Sequence, residues 1–333
     1  MNKMLRQLLS VGSLTLIICI FSVLKPDSFL TRDNFFNVLS RSSYKGIIAV
    51  GMTMVIISAG IDLSVGSMLA LCGMVGGYVM LLLGGPAPGG GPMLVGTLVG
   101  VAIGTLCGLV NGTLISKLKL PPFIVTLGTM GTFRGISYVM NDGKMYDLPT
   151  YSYLGSGTLL GIPVCVLMFA LMVIAAGFVL QYTRLGRYTY AIGSNRVAAF
   201  HAGVNVGRNL IAIYTVTGFL VGIAAMIATS RTVSAQPTAG ITLELEIIAA
   251  VVIGGASLSG GTGTITGTIV GVLLLSFLWN GCTLLGITSN VQLIVIGPII
   301  ITAVCLHMIA RHKAEMGPRG TQKRSRQPSD KSQ

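Results

Sequence analysis

The sequence predicts an all-α protein that crosses a membrane about ten times in two pseudo-symmetric halves. Only 9% of its 333 residues are charged and 52% are hydrophobic, whereas about 25% of a soluble chain is charged. At about 20 residues per spanning helix, this apolar content suffices for about nine or ten crossings. Two similar segments with glycine-rich interruptions also lie in corresponding halves. Residues 1–310 are therefore assigned to one transmembrane domain.

The spans follow ten apolar runs. Residues 8–24 form the first helix, which we expect to be retained because its apolar core is longer than that of a signal peptide and lacks a small-residue cleavage site. Nine further apolar runs follow. Counted over all ten, the second and the eighth runs are short. They cover residues 47–59, 68–83, 93–115, 123–140, 164–180, 210–229, 247–256, 268–285 and 291–309.

The basic residues predict that both chain ends lie in the cytoplasm. Alternating crossings place most Lys and Arg residues on the side of the N-terminus, as the positive-inside rule requires. The exception is the first outer loop, which contains Lys25, Arg32, Arg41 and Lys45. Residues 29–39 in this loop alternate apolar and polar positions, which predicts a short interfacial helix.

The tail, residues 311–333, is polar and basic, and it contains too little apolar surface to fold alone. We expect a disordered cytoplasmic tail. Lys323, Arg324 and Arg326 would then act as a topology anchor, while binding to membrane lipid headgroups is the alternative.

One predicted helix carries glycine at every fourth position. Such a stripe allows a neighbouring helix to approach until the backbones touch. The stripe therefore predicts tight helix packing, with a sliding surface as the alternative. Its members are Gly96, Gly100, Gly104, Gly108 and Gly112.

Residues 47–67 and 247–263 share a pattern. Each opens with Ile-Ile-Ala, stays apolar and then meets a glycine-rich break that contains hydroxyl residues. This predicts an internal repeat of broken helices, although chance similarity is a second explanation. Backbone that is not helical at membrane depth must face protein or a water-filled cavity, so residues 60–67 and 254–263 should face an interior.

Two charged residues stand out within apolar surroundings. Asp62 either caps the helix that begins near Leu63 or lines a path. Arg134 either extends toward the membrane surface or pairs with an acid, for which Asp62, Glu244 and Glu246 are candidates.

The chain lacks the motifs of several other classes. It has no phosphate-binding loop with lysine, no metal-ligand spacing of its three histidines and no nucleophile motif. We therefore predict that it is not an enzyme, that it holds no cofactor or metal, and that it does not bind nucleic acid.

Residues 183–209 form a long cytoplasmic loop. A helix is expected over residues 195–202, where Ser194 or Asn195 could cap it and where Gly193 and Gly203 flank it. Ala198 and Ala199 would offer a small surface on which another protein could dock.

Several pieces of the chain, taken together, resemble one family. They are AVGMTMVIISAGIDLSVGS, TRLGRYTYAIG, SAQPTAG, IIAAVVIGGASLSGGTGTITGT and NGCTLLGI. The chain resembles the permease subunits of bacterial ABC importers for ribose and related monosaccharides, in a broader family with branched-chain amino acid and autoinducer-2 permeases. The resemblance covers residues 29–301.

The resemblance implies a type II importer fold in the bacterial inner membrane. It implies a second permease copy or a close paralogue, cytoplasmic ABC ATPases that hold ATP and Mg, and a periplasmic sugar-binding protein. It also implies a helix that couples to the ATPase, formed by Ser194, Asn195, Arg196, Ala198, Ala199, His201 and Gly203. Relatives usually have an acid where Arg196 stands and Ser-Gly where Ala202 and Gly203 stand.

A permease of this kind would work by alternating access. Candidate residues of the path are Asp62, Ser64, Arg134, Asn141, Glu246 and Asn280. The alternatives are the same role with autoinducer-2 or another sugar, an ion-gradient-driven transporter that uses Asp62, Glu244 or Glu246, and a scaffold or sensor that passes no solute.

Overall fold

The structure, a computed structural model, describes residues 3–288, 290–292, 294–295, 297–298, 301–302 and 305. About half of the predicted tenth span, residues 291–309, lies outside this part of the chain, and its described residues are helical. The tail of residues 311–333, with Lys323, Arg324 and Arg326, lies outside it as well. The described part is almost entirely helical, and the all-α prediction is confirmed.

Residues 3–288 form thirteen helices and four two-residue strands. The helices are α1 (Lys3–Leu24), α2 (Pro26–Phe29), α3 (Arg32–Ile57), α4 (Val65–Gly84), α5 (Gly90–Lys117), α6 (Pro122–Val139), α7 (Tyr153–Ser156), α8 (Val164–Tyr182), α9 (Arg184–Ser194), α10 (Arg196–His201), α11 (Val206–Thr232), α12 (Leu243–Ile253) and α13 (Ile265–Leu284). The strands are β1 (Tyr146–Asp147), β2 (Thr158–Leu159), β3 (Ile162–Pro163) and β4 (Ser234–Ala235), and they pair antiparallel as β1 with β4 and β2 with β3. Within this part of the chain, α4, α5, α8, α11 and α13 are long and apolar enough to cross a membrane.

Helix α3 joins two segments that the sequence analysis separates. The predicted interfacial helix (29–39) and second span (47–59) are both wrong as separate elements, because one helix of 26 residues runs through them. Thr31 caps it by accepting the N–H of Asn34 at 3.2 Å, and no glycine or proline interrupts residues 32–45. Arg41 and Lys45 therefore lie on a helix and not in an outer loop, which explains why that loop breaks the charge bias.

Helix α11 lies at the centre of the bundle and packs against α5, α3 and α4. The glycine stripe of α5 faces these neighbours, and all five of its members are buried. A Cβ atom at Gly104 or Gly108 would overlap backbone atoms of α11, while one at Gly96 would overlap Met80 and the Gly76 carbonyl of α4. The stripe thus serves close packing against two helices in this structure.

Helix α12 has only 11 residues and is about 16 Å long, half of what a membrane requires. The predicted eighth span (247–256) is therefore too short to cross as a helix. Both α11 and α13 run antiparallel to α3, so the chain between them must return across the bundle. It does so through the non-helical leg, residues 233–242, followed by α12.

The side of the molecule that carries α10 is called the α10 side. The end of α3, the start of α11 and the end of α12 lie toward this side. The end of α13 lies on the opposite side, where Asn280 and Asn34 at the start of α3 exchange amide hydrogen bonds of 3.1 and 2.8 Å.

The close approach of α5 and α11 can be tested with a single methyl group. Gly108→Ala should destabilise the protein by about 1 to 3 kcal/mol, because the added Cβ meets the Tyr214 carbonyl and the Gly218 backbone. The measurement is the midpoint of thermal unfolding in detergent. Gly128→Ala on α6 is the control, since no described atom lies within 4 Å of its added Cβ. Equal midpoints for the two variants would contradict the packing.

Candidate functional site

The two glycine-rich interruptions meet in the folded protein. The first break comprises residues 58–64 between α3 and α4, and the second comprises residues 254–264 between α12 and α13. The N–H of Gly261 donates to the carbonyl of Ile57, the last residue of α3, at 2.8 Å. An added Cβ at Gly260 would lie 2.7 Å from the Ala59 side chain. The two segments that share a sequence pattern therefore form one contact region.

The first break is closed off in the interior. Asp62 is completely buried, and its Oδ1 accepts the Ser64 N–H at 2.9 Å and the Ser64 hydroxyl at 2.6 Å. Asn111 of α5 donates to the Ser64 hydroxyl oxygen at 2.8 Å. Helix α4 begins at Val65, two residues later than expected, and Asp62 stabilises the turn that precedes it. In this structure Asp62 and Ser64 line no open path.

The second break, by contrast, lies partly at the surface. The carbonyl of Thr262 accepts the Ser257 N–H at 3.0 Å, and Gly260 and Gly261 both adopt left-handed conformations with φ of 83° and 74°. Ser259 and Thr262 are exposed. The expectation that residues 254–263 face an interior is wrong for this tip, because the glycine turn carries the chain out to the α10 side.

Helix α9 contacts both breaks. The Tyr190 hydroxyl donates to the Gly263 carbonyl at 2.8 Å. Gly193 sits so close to the Ile57 carbonyl and the Gly261 nitrogen that any Cβ would overlap them. The C-terminal end of α9 therefore packs against the first and the second break at once.

Helix α10 follows directly and is presented to the outside. Asn195 caps it by accepting the Ala198 N–H at 2.9 Å, which selects Asn195 over Ser194 as the cap. Gly203, with φ of 81°, ends it. Ser194 lies beside Gly261 of the second break, while Arg196, Ala198 and His201 are exposed.

The apolar surface of α10 differs from the one expected. Ala199 is 5% exposed and faces the bundle, so only Ala198 contributes to the outer surface. Val197 and Phe200 are 66% and 67% exposed instead. Sequence reasoning missed these two residues, although their i, i+3 spacing places them on one helical face.

Arg134 donates hydrogen bonds to backbone carbonyls. Its Nη1 donates to the carbonyls of Pro237 and Ala239 at 2.5 and 2.7 Å. Within the described residues Arg134 forms no direct salt bridge, but Glu244, one of the three acids considered as its partner, interacts with it electrostatically. The non-helical leg supplies carbonyls that its own turns leave free, and a half-buried guanidinium with five donors satisfies them.

The remaining path candidates divide into two groups. Asn141 donates to the carbonyls of Lys144 and Met145 at 3.2 and 3.1 Å, so it stabilises the turn after α6. Glu246 and Asn280 instead line the same cavity, which has a volume of about 480 Å³. Glu246 accepts two hydrogen bonds from Lys45 of α3, at 2.6 and 2.8 Å. The structure thus brings together two of the six candidates in one cavity.

Residues 34–304 match the family of permease components of branched-chain amino acid transport systems. The chain belongs to this permease family. It is 46% identical over 297 residues to the ribose import permease protein RbsC of Bacillus subtilis, covering 88% of this chain and 90% of that protein. It is 41% identical over 303 residues to the Haemophilus influenzae protein of the same name, covering 88% and 90%.

The D-allose transport system permease protein AlsC of Escherichia coli is 37% identical over 295 residues, covering 88% of this chain and 89% of that protein. No solved structure matches the chain. Family membership and the apolar helices together make this chain a multi-pass membrane protein with a transport role. The matched region includes nearly all of α3 and all of α4 to α13, and hence both breaks, α9 and α10.

The support of the non-helical leg by Arg134 of this permease can be tested by removing the donors. Arg134→Met should destabilise the protein by about 2 to 5 kcal/mol, because two carbonyls then lose a charged partner. Arg134→Lys should recover part of the loss. The control is Arg184→Met on the exposed start of α9. Thermal unfolding in detergent gives the comparison, and identical midpoints for Arg134→Met and Arg184→Met would refute the assignment.

Proposed function

We propose that this permease is the membrane-spanning subunit of an ABC importer that moves a ribose-like monosaccharide across the bacterial inner membrane. The observation that supports it most is the 41 to 46% identity, over nearly the whole chain, to proteins that bear the name ribose import permease. A D-allose permease protein at 37% identity lies in the same sugar class.

The α10 side is the cytoplasmic side in this proposal. Lys117 at the end of α5 and Arg208 at the start of α11 lie on this side, together with the basic residues of α9. Their position agrees with the positive-inside rule. Both chain ends then lie in the cytoplasm, and a periplasmic sugar-binding protein delivers the sugar to the opposite side.

Helix α10 is the coupling helix that docks into a cytoplasmic ABC ATPase. Val197 and Phe200 form its apolar anchor, and Arg196 and His201 lie beside them. Exposed apolar side chains on a short rigid helix are typical of the centre of a protein interface. ATP and Mg belong to the ATPase, and this chain supplies the surface that the ATPase moves.

The mechanism is alternating access driven from α10. Because α9 contacts both breaks, a displacement of α10 reaches the ends of α3 and α12 and the starts of α4 and α13 together. Non-helical joints between rigid helices are where such a change of angle costs least. A second copy of the permease, or a close paralogue, completes the path.

Reconstitution tests the function directly. Proteoliposomes that contain the permease with its cognate ATPase and sugar-binding protein should take up labelled ribose only when ATP is supplied. Allose and xylose serve as competing sugars. A proton or sodium gradient without the ATPase should give no uptake, because Glu246 is paired with Lys45 and Asp62 is bonded to Ser64. Gradient-driven uptake, or no flux of any sugar, would overturn the proposal.

The docking of α10 has its own test. Val197→Asp combined with Phe200→Asp should reduce co-purification of the ATPase at least about tenfold, since burying a carboxylate in an apolar interface costs more than about 1.4 kcal/mol. Leu160→Asp is the control, because Leu160 is 96% exposed in the β2–β3 turn, away from α10. Equal ATPase recovery with both variants would mean that α10 is not the docking site.

A further inference from the structure

A cavity of about 480 Å³ lies between α3, α12 and α13, and it is called the polar cleft here after its charged and polar lining residues; Val38, Ile241 and Gln292 line it as well. Each helix contributes residues from one face, at spacings of three, four or seven positions. These residues are Arg41 and Lys45 of α3, Glu246 of α12 with Thr242 just before it, and Ser276, Trp279, Asn280 and Thr283 of α13. Three helices therefore turn their polar faces toward one space.

This face cannot be directed at lipid. Charged side chains are expensive in the hydrocarbon region and almost always face protein or a water-filled cavity. The side chains of Lys45 and Glu246 pair with each other, yet 21% and 14% of their surfaces remain exposed to the cleft. Arg41 is exposed one turn away. These charged side chains therefore require protein, water or a polar solute beside them.

The position of the cleft fits an outward-facing vestibule. Asn280 bonds to Asn34 near the start of α3, and Thr242 marks the start of the short helix α12. The breaks and α10 lie at the other end of the same helices, beyond the Thr53 and Thr268 hydroxyls, which bond each other at 2.6 Å. Because α12 spans only half the membrane, the space between its first turn and the side opposite to α10 can take polar side chains from α3 and α13.

The chemistry of the cleft suits a polyhydroxylated ligand. Glu246 and Asn280 offer acceptors, and Arg41 and Lys45 offer donors. The Lys45–Glu246 pair is neutral, and Arg41 adds one positive charge at the edge of the cleft. Trp279 adds an aromatic surface for the apolar face of a sugar ring. The volume lies within the range of small-molecule sites.

We propose that the polar cleft is the periplasmic sugar-contact site of the translocation path and takes a neutral polyol of monosaccharide size. This inference rests on the proposed function and deepens it by locating the contact. Glu246 and Lys45 accept and donate hydrogen bonds with the sugar hydroxyls, and Trp279 packs against the ring. Binding is weak, since Lys45 and Glu246 already satisfy each other.

Transport kinetics in the reconstituted complex test the contact. Trp279→Ala should lower the rate of ribose uptake at least about tenfold, the effect of losing about 1.4 kcal/mol, and should change the ratio of ribose to allose uptake. ATP hydrolysis stimulated by loaded binding protein should persist, because α10 and the breaks are untouched. An equal fractional fall in ribose and allose uptake, together with a fall in stimulated hydrolysis, would indicate a structural role only and overturn the proposal.

A matched pair of threonines provides the control. Thr283 and Thr132 are both exposed helix residues whose hydroxyls donate to the carbonyl four residues earlier, at 2.8 and 3.1 Å, and Thr283 also accepts the side-chain amide of Gln292 at 3.2 Å. Only Thr283 lines the cleft. Thr283→Val should alter the ribose to allose ratio, and Thr132→Val should leave it unchanged. The same ratio in both variants would count against the cleft.

Chemical labelling separates this inference from the proposed function. Ser276→Cys, in a background in which Cys19, Cys282 and Cys305 are replaced by serine, should react with a membrane-impermeant thiol reagent added from the periplasmic side, and ATP binding should change the rate of labelling. This readout requires no knowledge of the sugar, so it stands even if ribose is not the cargo. Absence of labelling in all states, or a disulfide between Ser276→Cys residues of two permease copies, would show a closed interface and overturn the proposal.

Discussion

The architecture depends on one constraint: backbone that leaves the helical conformation inside a membrane must still have its N–H and C=O groups satisfied. The non-helical leg before α12 meets this requirement through Arg134, which donates to the carbonyls of Pro237 and Ala239. The first break meets it through Asp62 and through Tyr214, whose hydroxyl donates to the Ile61 carbonyl at 3.2 Å. Charged and polar groups that look costly in the sequence are therefore the partners of irregular backbone.

The hydrogen bonds that neighbouring helices make to the backbone of the two breaks also connect the two breaks to each other. The second break takes one hydrogen bond from Tyr190 of α9, and it gives another to Ile57 at the end of α3. Glycine at positions 193, 260 and 261 permits this approach, because a side chain there would overlap backbone or adopt a strained conformation. The joints of four helices thus share one support, which continues directly into the exposed α10. A transporter driven from outside the membrane requires such a continuous path.

Much of this arrangement is predictable because it depends on local sequence patterns. The apolar runs predict most of the helices, and Asn195 followed by Gly203 predicts α10 through capping alone. The paired glycine-rich segments predict two breaks. What the pattern could not predict depends on three-dimensional partners. Hydropathy divides α3 at Arg41 and Lys45, yet the helix continues, and Lys45 pairs with Glu246, which is 201 positions away in the chain.

The direction in which side chains point is the second feature that the sequence could not predict. The sequence shows Ala198 and Ala199 as a small surface, but only the folded backbone reveals that Ala199 turns inward and that Val197 and Phe200 point out. Likewise, no local signal indicates that Arg134 binds carbonyls of a segment 103 and 105 positions away. The sequence offers one indirect clue to such a contact. The apolar segment 247–256 is too short to cross the membrane as a helix, so the non-helical backbone that completes the crossing needs hydrogen-bond partners from elsewhere in the chain.

The most direct test of the account measures whether α10 and the second break move as one unit. Spin labels at Ala202→Cys, at the end of α10 and outside its apolar anchor, and at Thr262→Cys, both exposed positions, report their distance in the complex with and without ATP. The account predicts an unchanged distance between these labels, while the distance from Thr262→Cys to Leu160→Cys on the β2–β3 turn changes between the two states. A change in the Ala202 to Thr262 distance, with the second distance constant, would mean that α10 moves without the break and would contradict the account.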